Sequence, residues 1–160
     1  MEKETAKKYL SKADALTKLQ RYCAYQERCH REVRSKLLEL GIYGDDLEEI
    51  IVNLIEENFL NEERYARSFA RGKFRMKQWG RNRIRKELKI REISDYCIRK
   101  AMEEIDEVQY LDTLHSILEK KAAHFTDEDD FVKKSKLAQH ALSRGFEAEL
   151  VWEILKEMAE

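Results

Sequence analysis

The stretch VRSKLLELGIYGDDLEEIIVNL, residues 33–54, decides the fold because it occurs in two further versions. These are IRKELKIREISDYCIRKAMEEI, residues 84–105, and LAQHALSRGFEAELVWEILKEM, residues 137–158. Aligned on Ile42, Ile93 and Phe146, seven columns are apolar in every version. Besides the anchors they are Val33, Ile84 and Leu137; Leu37, Leu88 and Ala141; Leu47, Ile98 and Val151; Ile50, Ala101 and Ile154; Ile51, Met102 and Leu155; and Leu54, Ile105 and Met158. The chain is 42% apolar. At that frequency one column would match in all three versions only about 7% of the time, so seven columns mark an internal repeat.

Offsets of three and four residues put these groups on one face of each helix. The two columns before the anchor lie on one helix and the four after it on the next. Another helix precedes each pair. It carries Leu16, Leu19, Tyr22 and Cys23 in the first copy, Tyr65, Ala66, Phe69, Ala70 and Phe74 in the second, and Leu111, Leu114, Ile117 and Leu118 in the third. The expected fold is therefore all-α, with nine helices in three tandem three-helix modules. Their expected bounds are 1–58 (with an N-terminal extension), 59–105 and 106–160. One such module alone buries little apolar surface. Stacking into an elongated or curved array is one remedy, and a compact nine-helix globule is another.

Asn61, Ser94 and Thr126 are the expected N-caps, with Asp129 completing a variant capping box for Thr126. Gly41 and Gly145 stand where a positive φ ends a helix. Glu92 holds that place in the second copy, so its turn is expected to close differently. Trp79-Gly80 separates the first two helices of the second copy.

Composition excludes other classes. With five glycines and no proline in 160 residues, the chain lacks the turns that a sandwich or barrel needs every ~8–12 residues. No apolar run approaches the ~18 residues of a membrane span. The opening MEKETAKKYL has no apolar segment of a secretory signal. Cys23, Cys29 and Cys97 cannot all pair with one another and form no CxxC, which places the protein in a reducing, cytoplasmic setting.

The net charge of −1 conceals a division: −2 over residues 1–58, +7 over 59–105 and −6 over 106–160. Such asymmetry concerns partners rather than folding. Within the middle module, Arg67, Arg71, Lys73, Arg75, Lys77, Arg81, Arg83, Arg85, Lys86, Lys89 and Arg91 face a single acid, Glu87, before Glu92. Arg67, Arg71 and Arg75 stripe one helix, and Arg81, Arg85 and Lys89 the next. The two stripes are expected to meet across Trp79-Gly80. Nine of the fourteen cations of this module are arginine, whose planar fork suits phosphate or carboxylate. The competing reading is a solvated face laced with i,i+4 ion pairs, which the scarcity of acids opposes. Trp79 reads first as a core or turn aromatic and second as a stacking platform.

No phosphate-cradling glycine loop, HExxH, GxSxG or EF-hand pattern is present. Cys23 and Cys29-His30 lack a second ligand pair at zinc spacing and read as core or boundary thiols. His115, His124 and His140 have no nucleophile placed beside them. No enzyme, metal or cofactor is expected. The acidic runs Asp45, Asp46, Glu48, Glu49 and Asp127, Glu128, Asp129, Asp130 read as helix starts that suit the dipole.

Residues 59–93, FLNEERYARSFARGKFRMKQWGRNRIRKELKIREI, resemble the signature region of the bacterial RecX regulatory proteins. The matching elements are Glu63-Arg64-Tyr65-Ala66, the basic segment Arg71–Lys77, Gly80, Ile84 and Glu87-Leu88. Arg28, Glu32, Leu37, Leu38 and Gly41-Ile42 of the first module also look like the family. The resemblance implies tandem three-helix repeats. It implies a cytoplasmic modulator that binds the RecA–DNA filament, typically within its groove, and restrains RecA ATPase and strand exchange in recombination and repair. Direct binding of single- and double-stranded DNA is implied too.

The leading expectation is thus a monomeric, non-enzymatic regulator with two macromolecular partners. These are a RecA filament and DNA, the latter read with weak sequence preference. Arg67, Arg71, Lys73, Arg75, Lys77, Trp79, Arg81, Arg83, Arg85, Lys86 and Lys89 are its candidate contacts to DNA or RecA. A stand-alone helical DNA-binding protein is the alternative, and a purely protein-binding adaptor is a third reading that the +7 module opposes.

Overall fold

The computed structural model describes residues 10–126 and 129–159. Among them every regular element is an α-helix. These are α1 (Lys12–Tyr25), α2 (His30–Glu39), α3 (Gly44–Glu56), α4 (Glu62–Lys77), α5 (Arg81–Ile90), α6 (Asp95–Met102), α7 (Glu107–Ala122), α8 (Asp130–Ser143) and α9 (Ala148–Met158). The three repeats correspond to α1–α3, α4–α6 and α7–α9. The chain divides into two compact units, one up to Tyr65 and one from Ala66 onward.

The seven columns supply the core. All of their residues are buried except Met102 and Met158. Full burial of Val33, Leu37, Ile84 and Leu88 stabilises the fold by about 1.5–3 kcal/mol for each side chain. In the first unit these groups close over Ala15, Leu19 and Cys23 of α1.

The same turn recurs just before the anchor residue of each repeat. The amide of Ile42 donates to Leu37 O at 2.9 Å, that of Ile93 to Leu88 O at 3.1 Å and that of Phe146 to Ala141 O at 3.2 Å. The intervening residue has a positive φ in every case: 82° at Gly41, 62° at Glu92 and 97° at Gly145. Glu92 therefore corrects the expectation of a different closure. The turn is the same, and a glutamate accepts the left-handed backbone at a cost of about 1–2 kcal/mol because the buried Ile93 must follow it.

Asn61 Oδ1 accepts from Arg64 N at 2.9 Å, and Ser94 Oγ accepts from Cys97 N at 3.2 Å, so both cap as expected. Thr126 does not. The N-cap of α8 is Asp129, with no side-chain capping bond. Four acids in a row offered several starts, and the helix begins at the last of them. Asp127 and Glu128 lie outside the described residues. Arg64 ties the first unit together by donating to Asn58 O at 3.1 Å, Phe59 O at 3.2 Å and Glu27 Oε1 at 2.6 Å.

Within the second unit the α4–α5 turn docks directly on the α8–α9 turn. Gly80 N donates to Arg144 O at 2.8 Å, and Asn82 N to Gly145 O at 2.9 Å. A Cβ on Gly80 would stand 2.3 Å from Gly145 C, so only glycine permits this approach. Tyr110, fully buried between Phe74 and Phe146, donates its hydroxyl hydrogen to Glu147 and accepts from Arg81 N at 3.0 Å. Burial and the adjacent Glu147 carboxylate push that phenol above its ordinary range.

Candidate functional site

The helices α4 and α5 carry every candidate contact except Trp79, which lies in the turn between them. The structure sorts these residues into three groups. The first group is committed to carboxylates. Arg67 donates to Glu104 at 3.0 Å and Glu103 at 3.3 Å, and Arg71 pairs with Glu104 at 3.2 Å. Burial raises the Glu104 pKa, but the hydrogen bonds from Arg67 and Arg71 outweigh it and hold the group below the usual carboxylate range. Arg81, 14% exposed, binds Glu147 at 2.8 Å and Glu107, with its guanidinium 3.9 Å from the Tyr110 ring centroid. Burial lowers its pKa, but the two carboxylates raise it further, so the net shift is upward.

The second group gathers around one ring. Arg83 Cζ lies 4.2 Å and Lys73 Nζ 4.9 Å from the Trp79 centroid. Phe69 meets Trp79 edge-on at 6.3 Å, and Lys73 is also 5.5 Å from the Phe69 centroid. Trp79 is half-buried. Both readings of Trp79 thus bear on one place: it is a turn aromatic whose ring is already engaged by cations.

The third group is Arg75 and Lys77 at the end of α4, with Arg85, Lys86 and Lys89 along α5. Arg75, Lys77, Lys86 and Lys89 are exposed, and Arg85 donates to Asn82 Oδ1 at 3.3 Å. With Lys73 and Arg83, seven candidate cations of these groups lie outside the described ion pairs, and they sit on α4 and α5. Arg91, next along, is occupied by Glu87 at 2.9 Å.

The acids that neutralise the first group were out of reach of a local reading. Glu103, Glu104, Glu107 and Glu147 lie 26 to 66 residues from their arginines. The start of α5 is equally occupied, because the N–H groups of Gly80, Arg81 and Asn82 all donate within the protein. Its helix end therefore offers those donors to no anion.

The helices that carry these cations match a family description. Residues 61–102 match the second three-helix domain of RecX, and residues 107–155 match the third. The chain belongs to the RecX family. It is 28% identical over 144 residues to regulatory protein RecX of Prosthecochloris aestuarii, covering 90% of this chain and 93% of that one. It is 30% identical over 135 residues to RecX of Streptococcus uberis, covering 81% of this chain and 50% of that protein. The chain thus spans about half the length of the Streptococcus relative, and 52% of the Bacillus cytotoxicus one. The crystal structure of RecX from Lactobacillus salivarius superposes with a TM-score of 0.84 at 26% identity, over 92% of this chain and 96% of that chain.

No described helix is long and apolar enough to cross a membrane. Among the described residues no group of three or more His, Cys, Asp or Glu side chains could hold a metal ion. The three cysteines are free and buried.

Proposed function

We propose that the protein is a cytoplasmic regulator that binds the RecA–DNA filament and restrains RecA ATPase and strand exchange. Residues 59–105 are its nucleic-acid contact module. The family resemblance supplies the partner. The observation that carries the contact is the set Arg75, Lys77, Arg83, Arg85, Lys86 and Lys89, all without an acidic partner among the described residues. Arg67, Arg71 and Arg81 are instead paired with Glu103, Glu104, Glu107 and Glu147. Cations left unpaired on one module suit a repeating anion, and neutralising phosphates releases counterions from the strand. No side-chain pattern for reading bases is present, so sequence preference is weak.

Fluorescence anisotropy with a labelled single-stranded oligonucleotide over a salt series tests the contact. The expected log–log slope is about −0.7 per phosphate engaged. The variant R83A/R85A/K86A/K89A should bind more weakly with a shallower slope. Unchanged binding by that variant would remove the assignment.

A further inference from the structure

We propose that Trp79 is a positioning residue that holds Lys73 and Arg83 as a two-cation clamp for one phosphodiester of a nucleic-acid strand. The clamp presupposes the nucleic-acid contact assigned above and names the place on that module where one phosphate sits.

Two long cationic side chains repel each other and in water would diverge. Here both centres are held at one indole, 4.2 Å and 4.9 Å from its centroid. The electron-rich ring attracts each cation, yet it leaves the charge of both undiminished, as a carboxylate would not. Neither Lys73 nor Arg83 has a carboxylate partner among the described residues. The ring is itself held, half-buried in the α4–α5 turn with the Phe69 edge against it.

The other end of Arg83 is fixed independently. A Cβ on Gly145 would stand 2.4 Å from Arg83 Cβ and 2.5 Å from Arg83 N, so the α8–α9 turn packs backbone-first on this residue. Arg83 is therefore held at its backbone by the third repeat and at its guanidinium by Trp79. Preorganisation of this kind reduces the ordering cost when an anion binds.

Phosphate is favoured over a protein carboxylate. Further cations without an acidic partner among the described residues follow along both helices, at Arg75 and Lys77 of α4 and at Arg85, Lys86 and Lys89 of α5, which fits a repeating charge. A base stacked on Trp79 would have to displace the cations already there.

The test measures salt slopes for a labelled dT oligonucleotide and for an abasic deoxyribose-phosphate strand of equal length. The proteins are wild type, W79A, W79F, K73A, R83A, K73A/R83A and K73A/R83A/W79A, with thermal melts to show that each folds. W79A should lower the slope magnitude by about 0.7 on both strands, and W79F should restore it. Adding W79A to K73A/R83A should change nothing further. K73A and R83A share one phosphate, so their losses should not exceed one phosphate together: the double variant should lose about 0.7 in all. That arm and W79F decide the matter if W79A does not fold.

A W79A loss seen with bases and absent on the abasic strand would overturn the clamp in favour of stacking. A further loss in the triple variant would make Trp79 an independent contact. Equal Trp79-dependent binding of poly-L-glutamate would transfer the site to an acidic protein. An unchanged slope in W79A overturns the clamp alone, whereas absence of strand binding by the wild type overturns the contact module with it.

Discussion

Arg81→Ala and Arg83→Ala remove the same charge two residues apart and should have opposite consequences. The Arg81 side chain is 14% exposed and binds Glu147 and Glu107. Its removal leaves Glu147, 26% exposed, with the Tyr110 hydroxyl and no cation. Breaking a fully buried ion pair costs about 3–5 kcal/mol. Residual water around Glu147 and the exposure of Glu107 reduce this to about 2 kcal/mol. Arg83 is exposed with no acidic partner among the described residues, so its removal forfeits mainly the ring contact with Trp79, about 0.5–1 kcal/mol.

Urea unfolding at neutral pH, followed by tryptophan fluorescence, measures the difference. Trp79 and Trp152 both lie in the second unit, so the signal reports the unit that holds Arg81. With a typical dependence of ~1–3 kcal/mol per molar urea, Arg81→Ala should move the midpoint down by about 1 M and Arg83→Ala by no more than about half as much. Strand binding should respond the other way, falling with Arg83→Ala and holding with Arg81→Ala in folded protein. An Arg81→Ala midpoint within experimental error of wild type would refute the supporting role of the Arg81–Glu147–Tyr110 network.

Three further outcomes are expected. Glu92→Gly should stabilise by about 0.5 kcal/mol, since relief of the positive φ exceeds the added unfolded-state entropy; a lower urea midpoint would contradict the strained turn. Burial pushes the Cys23 thiol up to about 11 and raises that of Cys29, so iodoacetamide at pH 8 should label both slowly until urea unfolds the chain. Burial, then Lys121 and Arg144, hold His140 below its usual 6.5. Its folded form takes up a proton less readily than the unfolded chain, so this stability is complete above 6.5 and is lost as pH falls from there through the lower folded value. The midpoint between pH 7.5 and 5 should fall less in His140→Gln than in wild type, and equal falls would remove His140 as a cause.

The fold was readable because a helical repeat records its buried face at fixed offsets, from Val33 to Leu54 and twice again. Met102 and Met158 were the only members of those columns to escape burial. Glu92 was misread because glycine is the sequence signal for a left-handed residue, while the turn is imposed by the buried residue after it. Thr126 was misread because the acids that follow it offer further helix starts, and α8 takes Asp129 as its N-cap. The site was readable only as a charge run. What divides it is tertiary: Glu103, Glu104, Glu107 and Glu147 arrive from later helices and claim Arg67, Arg71 and Arg81. The gathering of Lys73 and Arg83 on Trp79 depends on how α4 and α5 leave their shared turn, which no spacing records.

The ATPase rate of RecA from the same organism on single-stranded DNA, with this protein titrated in, tests the central claim most directly. The account predicts strong inhibition well below one protein per RecA, and loss of that inhibition in R83A/R85A/K86A/K89A. An ATPase rate unaffected at every ratio, or inhibition undiminished in the variant, would contradict it.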